Sequence, residues 1–263
     1  MSSITRDLLQ RLGEFDTALL ANTIGAIDST PLHEWYMGGS IQSVTPGLGP
    51  TVGIAYTCEL DSSSPGGEPN TEDYWRTLDE MDSDGRPAVW VVKTIGSRPD
   101  HECVLGDGMA KSLYAVGCLG VVTNGGVRDI PGLLTVPFAA YSRGRTIHHG
   151  ALRFRAIHEP VEVGGITVQS GDLIHADAGG VIRIPLSCAE QLPTHAVRML
   201  SFEREVHTML RRRNMRPAEK RRRIQELQVC YGLQPNVAYS GIVSEADSEE
   251  AQRSREESLP QRS

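Results

Sequence analysis

The sequence predicts an α/β fold: one domain with a central β-sandwich or barrel layer flanked by helices, and a βαβ unit inside it. Three observations carry that reading. Two short continuous apolar runs, at 88–92 and 119–123, bracket a helical stretch at 108–117, the pattern of buried parallel strands joined by a crossover helix. Residues 151–185 break into short strands punctuated by paired turn residues. The chain is helical in character before and after this middle.

In order along the chain, residues 4–27 read as a helix, with Ile4, Leu8, Leu9, Leu12, Phe15, Leu19 and Leu20 at three- and four-residue steps. Residues 46–50 (PGLGP) are turn chemistry, and 51–60 are β-branched and apolar enough for a strand. Residues 61–70 (DSSSPGGEPN) form a polar loop. The run at 88–92 (AVWVV) is a buried strand. Met109, Leu113 and Val116 set a helical face over 108–117, and 119–123 is the second buried strand, ending in Asn124-Gly125-Gly126. Short strands follow at 152–157, Val161–Val163, Ile166–Val168, 173–176 and 181–184. After Pro185 the chain is helical and charged to about residue 228, and 244–263 lacks any apolar cluster, the composition of a disordered tail. The organisation expected is therefore a domain over 1–210, a charged helical arm over 211–243 and the tail.

Composition narrows the function classes. The 263 residues carry a net charge of -7, which argues against a nucleic-acid footprint over the whole surface. No run reaches the roughly 18 apolar residues of a membrane helix, and the first residues do not have the form of a signal peptide. Five scattered cysteines, none in a C-x-x-C pair, support neither a disulfide framework nor a zinc site. A reduced, cytoplasmic protein is expected. Of the 26 basic residues only Lys93, Lys111 and Lys220 are lysines, so Schiff-base chemistry has three possible positions. A nucleotide-binding P-loop reading of Ala110-Lys111-Ser112 fails, because Leu105 and Ala110 stand where glycines are required.

The informative stretch is Gly106-Asp107-Gly108-Met109, followed by Val127-Arg128-Asp129. The first segment leaves a strand and enters a helix through two glycines, which leaves backbone N–H groups free to hold an anion. The second ends a neighbouring parallel strand with an Arg and an Asp. Both therefore fall at strand carboxyl ends, where open α/β sheets bind ligands. An anion nest, a guanidinium and two carboxylates suit a small carboxylate substrate beside a divalent cation held by Asp129.

At these residues the sequence resembles the class II, metal-dependent pyruvate aldolases related to the regulator of ribonuclease activity A. Asp107, twenty residues, then Arg128-Asp129 match their D-x20-R-D signature. Residues 15–19, 49–57 and 164–181 resemble the family's opening helix, first strand and C-terminal β-layer. The best-known members are 4-hydroxy-4-methyl-2-oxoglutarate aldolase and 4-carboxy-4-hydroxy-2-oxoadipate aldolase. The resemblance implies a lyase that releases pyruvate from a 4-hydroxy-2-oxo acid or decarboxylates oxaloacetate. It implies Mg2+ or Mn2+ on Asp129, Arg128 on the 2-oxo oxygen, and the amides of Gly106, Asp107, Gly108 and Met109 on the substrate carboxylate. Asp107 would orient a metal-bound water. A homotrimer or homohexamer is implied, with Glu203 (or Glu205) from a neighbouring subunit's C-terminal helix completing each site. Asn22 and Asn124 stand where many members have Asp, and 61–76 reads as an insertion. The alternatives are a non-catalytic regulator of a ribonuclease, or another enolate reaction such as dehydration or isomerisation.

Three further features carry two readings each. His148-His149 near Arg143 and Arg145 suits an acidic substrate arm or a solvated loop, the latter favoured. Cys103 and Cys118 read as buried small hydrophobes rather than reactive thiols. The run Arg211-Arg212-Arg213 through Arg221-Arg222-Arg223 is read first as a solvated or packed helix, and RNA contact is the lesser reading.

Overall fold

Thr5 opens the first helix, α1 (Arg6–Leu12), its hydroxyl accepting from Leu8 N–H at 3.2 Å. The apolar periodicity continues to residue 27, but the structure divides it. The α1 chain ends at Gly13, and Asp16 caps a second helix, α2 (Thr17–Ile27), by accepting from Leu19 N–H at 2.7 Å. Periodicity alone passed over this break, because the cap sits between residues of the same apolar face. In this computed structural model residues 4–233 are described. The tail at 244–263 and residues 234–243 of the expected arm lie outside them.

The strands that follow build one curved sheet of eight strands. They are β1 (Gln42–Ser43), β2 (Thr51–Asp61), β3 (Ala88–Thr94), β5 (Cys118–Thr123), β7 (Ala139–Ser142), β9 (Arg153–Arg155), β12 (Leu173–Asp177) and β13 (Gly180–Ile184). The path runs β1-β7-β5-β3-β2-β12-β13, with β9 added to the far end of β2. Strands β2, β3, β5 and β7 are parallel, and β12 and β13 antiparallel. The sheet nearly closes on itself. Tyr36 bridges Ile182 in β13, while Gln42 and Ser43 pair with β7, so residues 36–43 link the two edges.

Side-chain alternation distributes the core. Val89, Val91, Val122, Ile174 and Ala176 face inward, against the hairpin of β10 (Val161–Val163) and β11 (Ile166–Val168). Trp90, Val92 and Val121 face outward, onto α3 (Glu72–Asp84) and α4 (Asp107–Ala115). Helix α3 was not anticipated; its buried Tyr74, Leu78 and Met81 recur at helical steps, but among acidic and polar residues that dilute the pattern. Around β2, β12 and β13 the outer face is covered by α1, α2 and α6 (Leu192–Leu210). The C-terminal helical region is broken at residues 211–216. Helix α7 (Pro217–Cys230) then packs back on α6, with Ile224 and Leu227 in the same apolar cluster.

Strands β3 and β5 are parallel neighbours, as the βαβ reading requires. One correction follows. The strand that feeds α4 is not β3 but β4 (Cys103–Leu105), in a separate three-stranded parallel sheet with β6 (Gly126–Val127) and β8 (Gly144–Arg145). Two- and three-residue strands fall below the length at which an apolar run is legible. A short helix, α5 (Ile130–Leu133), follows β6.

Candidate active site

The small sheet positions the signature residues. Leu105 of β4 is registered with Val127 of β6, and Arg128 N–H donates to the Leu105 carbonyl at 3.0 Å. The next residues of both strands, Gly106-Asp107 and Arg128-Asp129, therefore emerge side by side. The third strand, β8, is level with β6, pairing Arg145 with Val127, and its loop 146–150 leaves at the same end.

Gly106 caps α4, and Ala110 N–H is the first to bond back to its carbonyl, at 3.1 Å. The amides of Asp107, Gly108 and Met109 thus begin the helix without intrahelical acceptors, at the positive end of its dipole. Against Gly106 lie both signature side chains. A Cβ there would stand 2.6 Å from Asp129 Oδ2 and 2.9 Å from Arg128 Nε. The constraint is close approach and not backbone conformation, since its φ of -123° suits any residue: a larger residue here would displace the ends of these two side chains. Gly132 makes the matching contact from α5, where a Cβ would stand 2.4 Å from Asp107 Cβ.

Asp129 occupies the left-handed region at φ 56°, ψ 40°, a conformation that Asp tolerates better than most residues. Its carboxylate is 3.4 Å from Arg128 Nε, and its side chain is 41% exposed. Arg128 Nε is buried and has no hydrogen-bond partner among the described residues. Its nearest acceptor is Asp129 Oδ2 at 3.4 Å, an ion contact without a hydrogen bond, which leaves Nε available to an acceptor.

Asp107 differs from the expectation in one respect. Lys111, one of the three lysines of the sequence, turns back along α4 and donates to Asp107 Oδ2 at 2.6 Å. That hydrogen bond and charge hold the Asp107 carboxyl below its ordinary 3.8. The i, i+4 spacing of the two was visible in the sequence. Lys93 ends β3 in an ion pair with Glu59 at 3.1 Å.

The structure brings Gly106, Asp107, Gly108, Met109, Arg128 and Asp129 into one cluster. Glu203 is not part of it. It lies on α6, in the helical layer around α2, and accepts from Asn22 Nδ2 at 2.9 Å. Asn124 clamps the ends of β3 and β5, accepting from Thr94 N–H at 2.7 Å. Cys103 and Cys118 are fully buried, and burial pushes the Cys118 thiol up to about 12. His149 bonds its neighbour's carbonyl at Gly150, and Ile147 beside it is 88% exposed. Arg222 and Arg223 both pair with Glu226 of their own helix.

The hard oxygens available suit a particular class of metal. Asp129 has only the loose Arg128 contact, and one Asp107 oxygen is free of Lys111. No group of three or more His, Cys, Asp or Glu side chains forms a ready cage among the described residues. One or two carboxylates with waters completing the shell is the manner of Mg2+ or Mn2+, not of structural zinc. Among the described residues no helix is long and apolar enough to cross a membrane.

Comparison with known proteins places this arrangement. A family model for RraA-like proteins, described as Aldolase/RraA, matches residues 25–183. A protein of Halalkalibacterium halodurans named "Putative 4-hydroxy-4-methyl-2-oxoglutarate aldolase" is 39% identical over 30% of this chain and 36% of its own length. One of the same name from Azotobacter vinelandii is 31% identical over 43% of this chain and 70% of its own. The chain thus spans about a third of the first relative and over two thirds of the second. Among solved structures, a Pseudomonas syringae protein superposes with a TM-score of 0.62 at 23% identity, covering 87% of this chain and all of that one. An unusual member of the RNase ES inhibitor RraA protein family from Streptomyces coelicolor gives 0.62 at 22% identity, covering 79% and 98%.

Proposed function

The chain belongs to the Aldolase/RraA family, and we propose that it is a divalent-metal-dependent lyase acting on a small 2-oxo acid. The reaction is retro-aldol cleavage of a 4-hydroxy-2-oxo acid, decarboxylation of oxaloacetate, or both, since each leaves pyruvate enolate. The observation that carries this reading is the seating of Arg128 and Asp129 directly on Gly106 at the start of α4.

Each residue then has a chemical task. The amides of Gly106, Asp107, Gly108 and Met109 receive the substrate carboxylate. Arg128, whose Nε lacks an acceptor, directs its charge at the 2-oxo oxygen as negative charge develops there. Asp129 would hold Mg2+ or Mn2+, which when bound supplies several kcal/mol of enolate stabilisation as a Lewis acid. Asp107, whose carboxyl Lys111 holds below its ordinary value, orients the water that relays the 4-hydroxyl proton. In a trimer or hexamer Glu203 of a neighbouring subunit would complete the site, and a fully active monomer on gel filtration contradicts that part.

The test is pyruvate release from oxaloacetate and a panel of 4-hydroxy-2-oxo acids with Mg2+ or Mn2+, with NMR identification of products. Activity lost in Asp129→Ala supports the reading. No release above the metal blank, or full activity in Asp129→Ala, refutes it. Co-purification of a ribonuclease would then favour the regulator reading. A product other than pyruvate would point to a different enolate reaction.

A further inference from the structure

Two exposed surfaces of opposite charge take no part in the candidate site. The first is the outer side of α3, a helix with six carboxylates among its thirteen residues. Asp73, Glu80 and Asp84 pair with Arg76, His158 and Arg86. Glu72, Asp79 and Asp82 are exposed and have no ion pair among the described residues. With Trp75 they recur at three- and four-residue steps, so the four share one face. Trp75 is 55% exposed and T-shaped to the buried Tyr74, with ring centroids 5.5 Å apart. Tryptophan is among the residues most concentrated at the centres of contact surfaces.

The second surface is the connection between α6 and α7. Residues 211–223 hold seven arginines and Lys220 against one carboxylate, Glu219. Arg222 and Arg223 pair with Glu226, and Lys220 donates to the Leu210 carbonyl. Arg211, Arg212, Arg213 and Arg216 are exposed and pair with no acid among the described residues. The two surfaces belong to different layers: α3 lies over Trp90 and Val121, whereas α6 and α7 pack with α1 and α2 around β2, β12 and β13. Within one chain the unpaired acids and the unpaired arginines do not meet.

We propose that the outer face of α3 receives the turn at Arg211–Arg216 of a second copy of this chain. A guanidinium stacks flat on an indole while its N–H fork reaches the flanking carboxylates. Exposed ion pairs alone contribute little, so the stacking on Trp75 is what makes this face more than a charged one. The stripe from Glu72 to Asp82 is about 15 Å long at 1.5 Å per residue, room for more than one arginine. The turn has no aromatic side chain on which bases could stack, which favours a carboxylate-bearing protein surface over nucleic acid. Every copy carries both halves of the contact. Because the two halves differ, the contact is heterologous, and its repetition builds a ring or an open chain. It does not depend on the lyase reading and uses none of the residues of that site.

The test is acrylamide quenching of tryptophan emission in the full-length protein. Trp35 and Trp90 are 3% and 1% exposed, so Trp75 dominates the quenchable signal. One variant reverses the turn (Arg211→Glu, Arg212→Glu and Arg213→Glu), and a second reverses the helix face (Glu72→Arg, Asp79→Arg and Asp82→Arg). Both change exposed side chains only. Quenching should rise about threefold or more in the turn variant, and likewise in the unmodified protein at about 0.5 M salt, where exposed charges are screened. An equimolar mixture of the two variants should restore the protection, because opposite charges meet again. Equal quenching in the unmodified protein and the turn variant overturns the proposal, and so does a mixture that stays unprotected. A labelled single-stranded RNA that binds the unmodified protein but not the turn variant, with Trp75 open to quencher in both, also overturns it and assigns the turn to nucleic acid.

Discussion

Gly106→Ala separates positioning from folding at the candidate site. The new Cβ would lie 2.6 Å from Asp129 Oδ2 and 2.9 Å from Arg128 Nε, where ordinary contact begins at 3.4 Å. The carboxylate must therefore retreat by about 0.8 Å and the guanidinium nitrogen by about 0.5 Å. Misplacement on the order of 1 Å in a preorganised site costs roughly 100-fold in rate, or about 2.7 kcal/mol of transition-state stabilisation. Both side chains reach solvent, being 41% and 32% exposed, so they can yield without opening the core. Backbone strain is no obstacle at φ -123°. The comparison is Gly108→Ala, two residues on, where a Cβ meets nothing within 4 Å. We expect Gly106→Ala to lose about 100-fold in kcat/KM for pyruvate release, with a melting temperature within a few degrees of the unmodified protein. Gly108→Ala should keep its activity within about threefold. Equal activity in the two variants would show that the contact of Arg128 and Asp129 with Gly106 has no part in catalysis.

Other expectations follow from single contacts. Asp129→Asn should keep the left-handed cap, because Asn also tolerates that region, so melting should shift by less than about 2 °C while metal-dependent activity falls at least 100-fold. Retained activity would remove Asp129 from metal binding. Lys111→Met removes the group that holds Asp107 below 3.8; the acid limb of the pH profile of kcat/KM should then move upward, and an unmoved limb would mean that Asp107 does not act as an ionised group. Buried His175 has its pKa lowered by desolvation, and its Nε2–H is assigned to the Leu12 carbonyl, which only accepts, leaving Nδ1 to accept from Thr17 Oγ1 at 2.9 Å. A folded-state pKa below the unfolded 6.5 gives stability that is complete above pH 6.5 and declines below it, by up to about 1.4 kcal/mol per pH unit. Denaturant titrations between pH 7.5 and 5 should show that slope, and His175→Phe should flatten it.

What was legible in the sequence follows the range over which each signal acts. The strands at 88–92 and 119–123 were readable because both faces of β3 and β5 are covered, one by the inner cluster and the other by α3 and α4. Burial on both sides leaves a continuous apolar run. Helix α3 was missed because only its inner stripe is apolar, and the division of α1 from α2 was missed because Asp16 interrupts the chain without interrupting the apolar face. The Lys111–Asp107 pair was local and legible in spacing, yet its direction depends on whether the lysine reaches outward or back along the helix. Glu203 is a different case. Its partner within the chain, Asn22, is 181 residues away, and no spacing rule connects such positions.

The twenty residues between Asp107 and Arg128 have a geometric cause. They are one circuit, from the end of β4 through α4 and β5 to the end of β6. Helix α4, with nine residues, carries the chain about 13 Å from the site. Strand β5, with six, brings it back about 20 Å in the opposite sense, and residues 124–125 pass it into β6. The register of Leu105 with Val127 then places Asp107 and Arg128 at neighbouring carboxyl ends. A residue added within β5 would reverse its alternation, exposing Val121 and Val122 to the wrong faces. One added within α4 would rotate its buried Ala110 and Leu113 by about 100° relative to the start of the helix. The signature spacing is thus the length of a packed supersecondary unit, and Gly106 and Gly132 mark where its ends press together. That is why a motif so sparse in chemistry marks out a candidate site: the intervening residues are constrained by packing, and the packing delivers the Arg and the Asp.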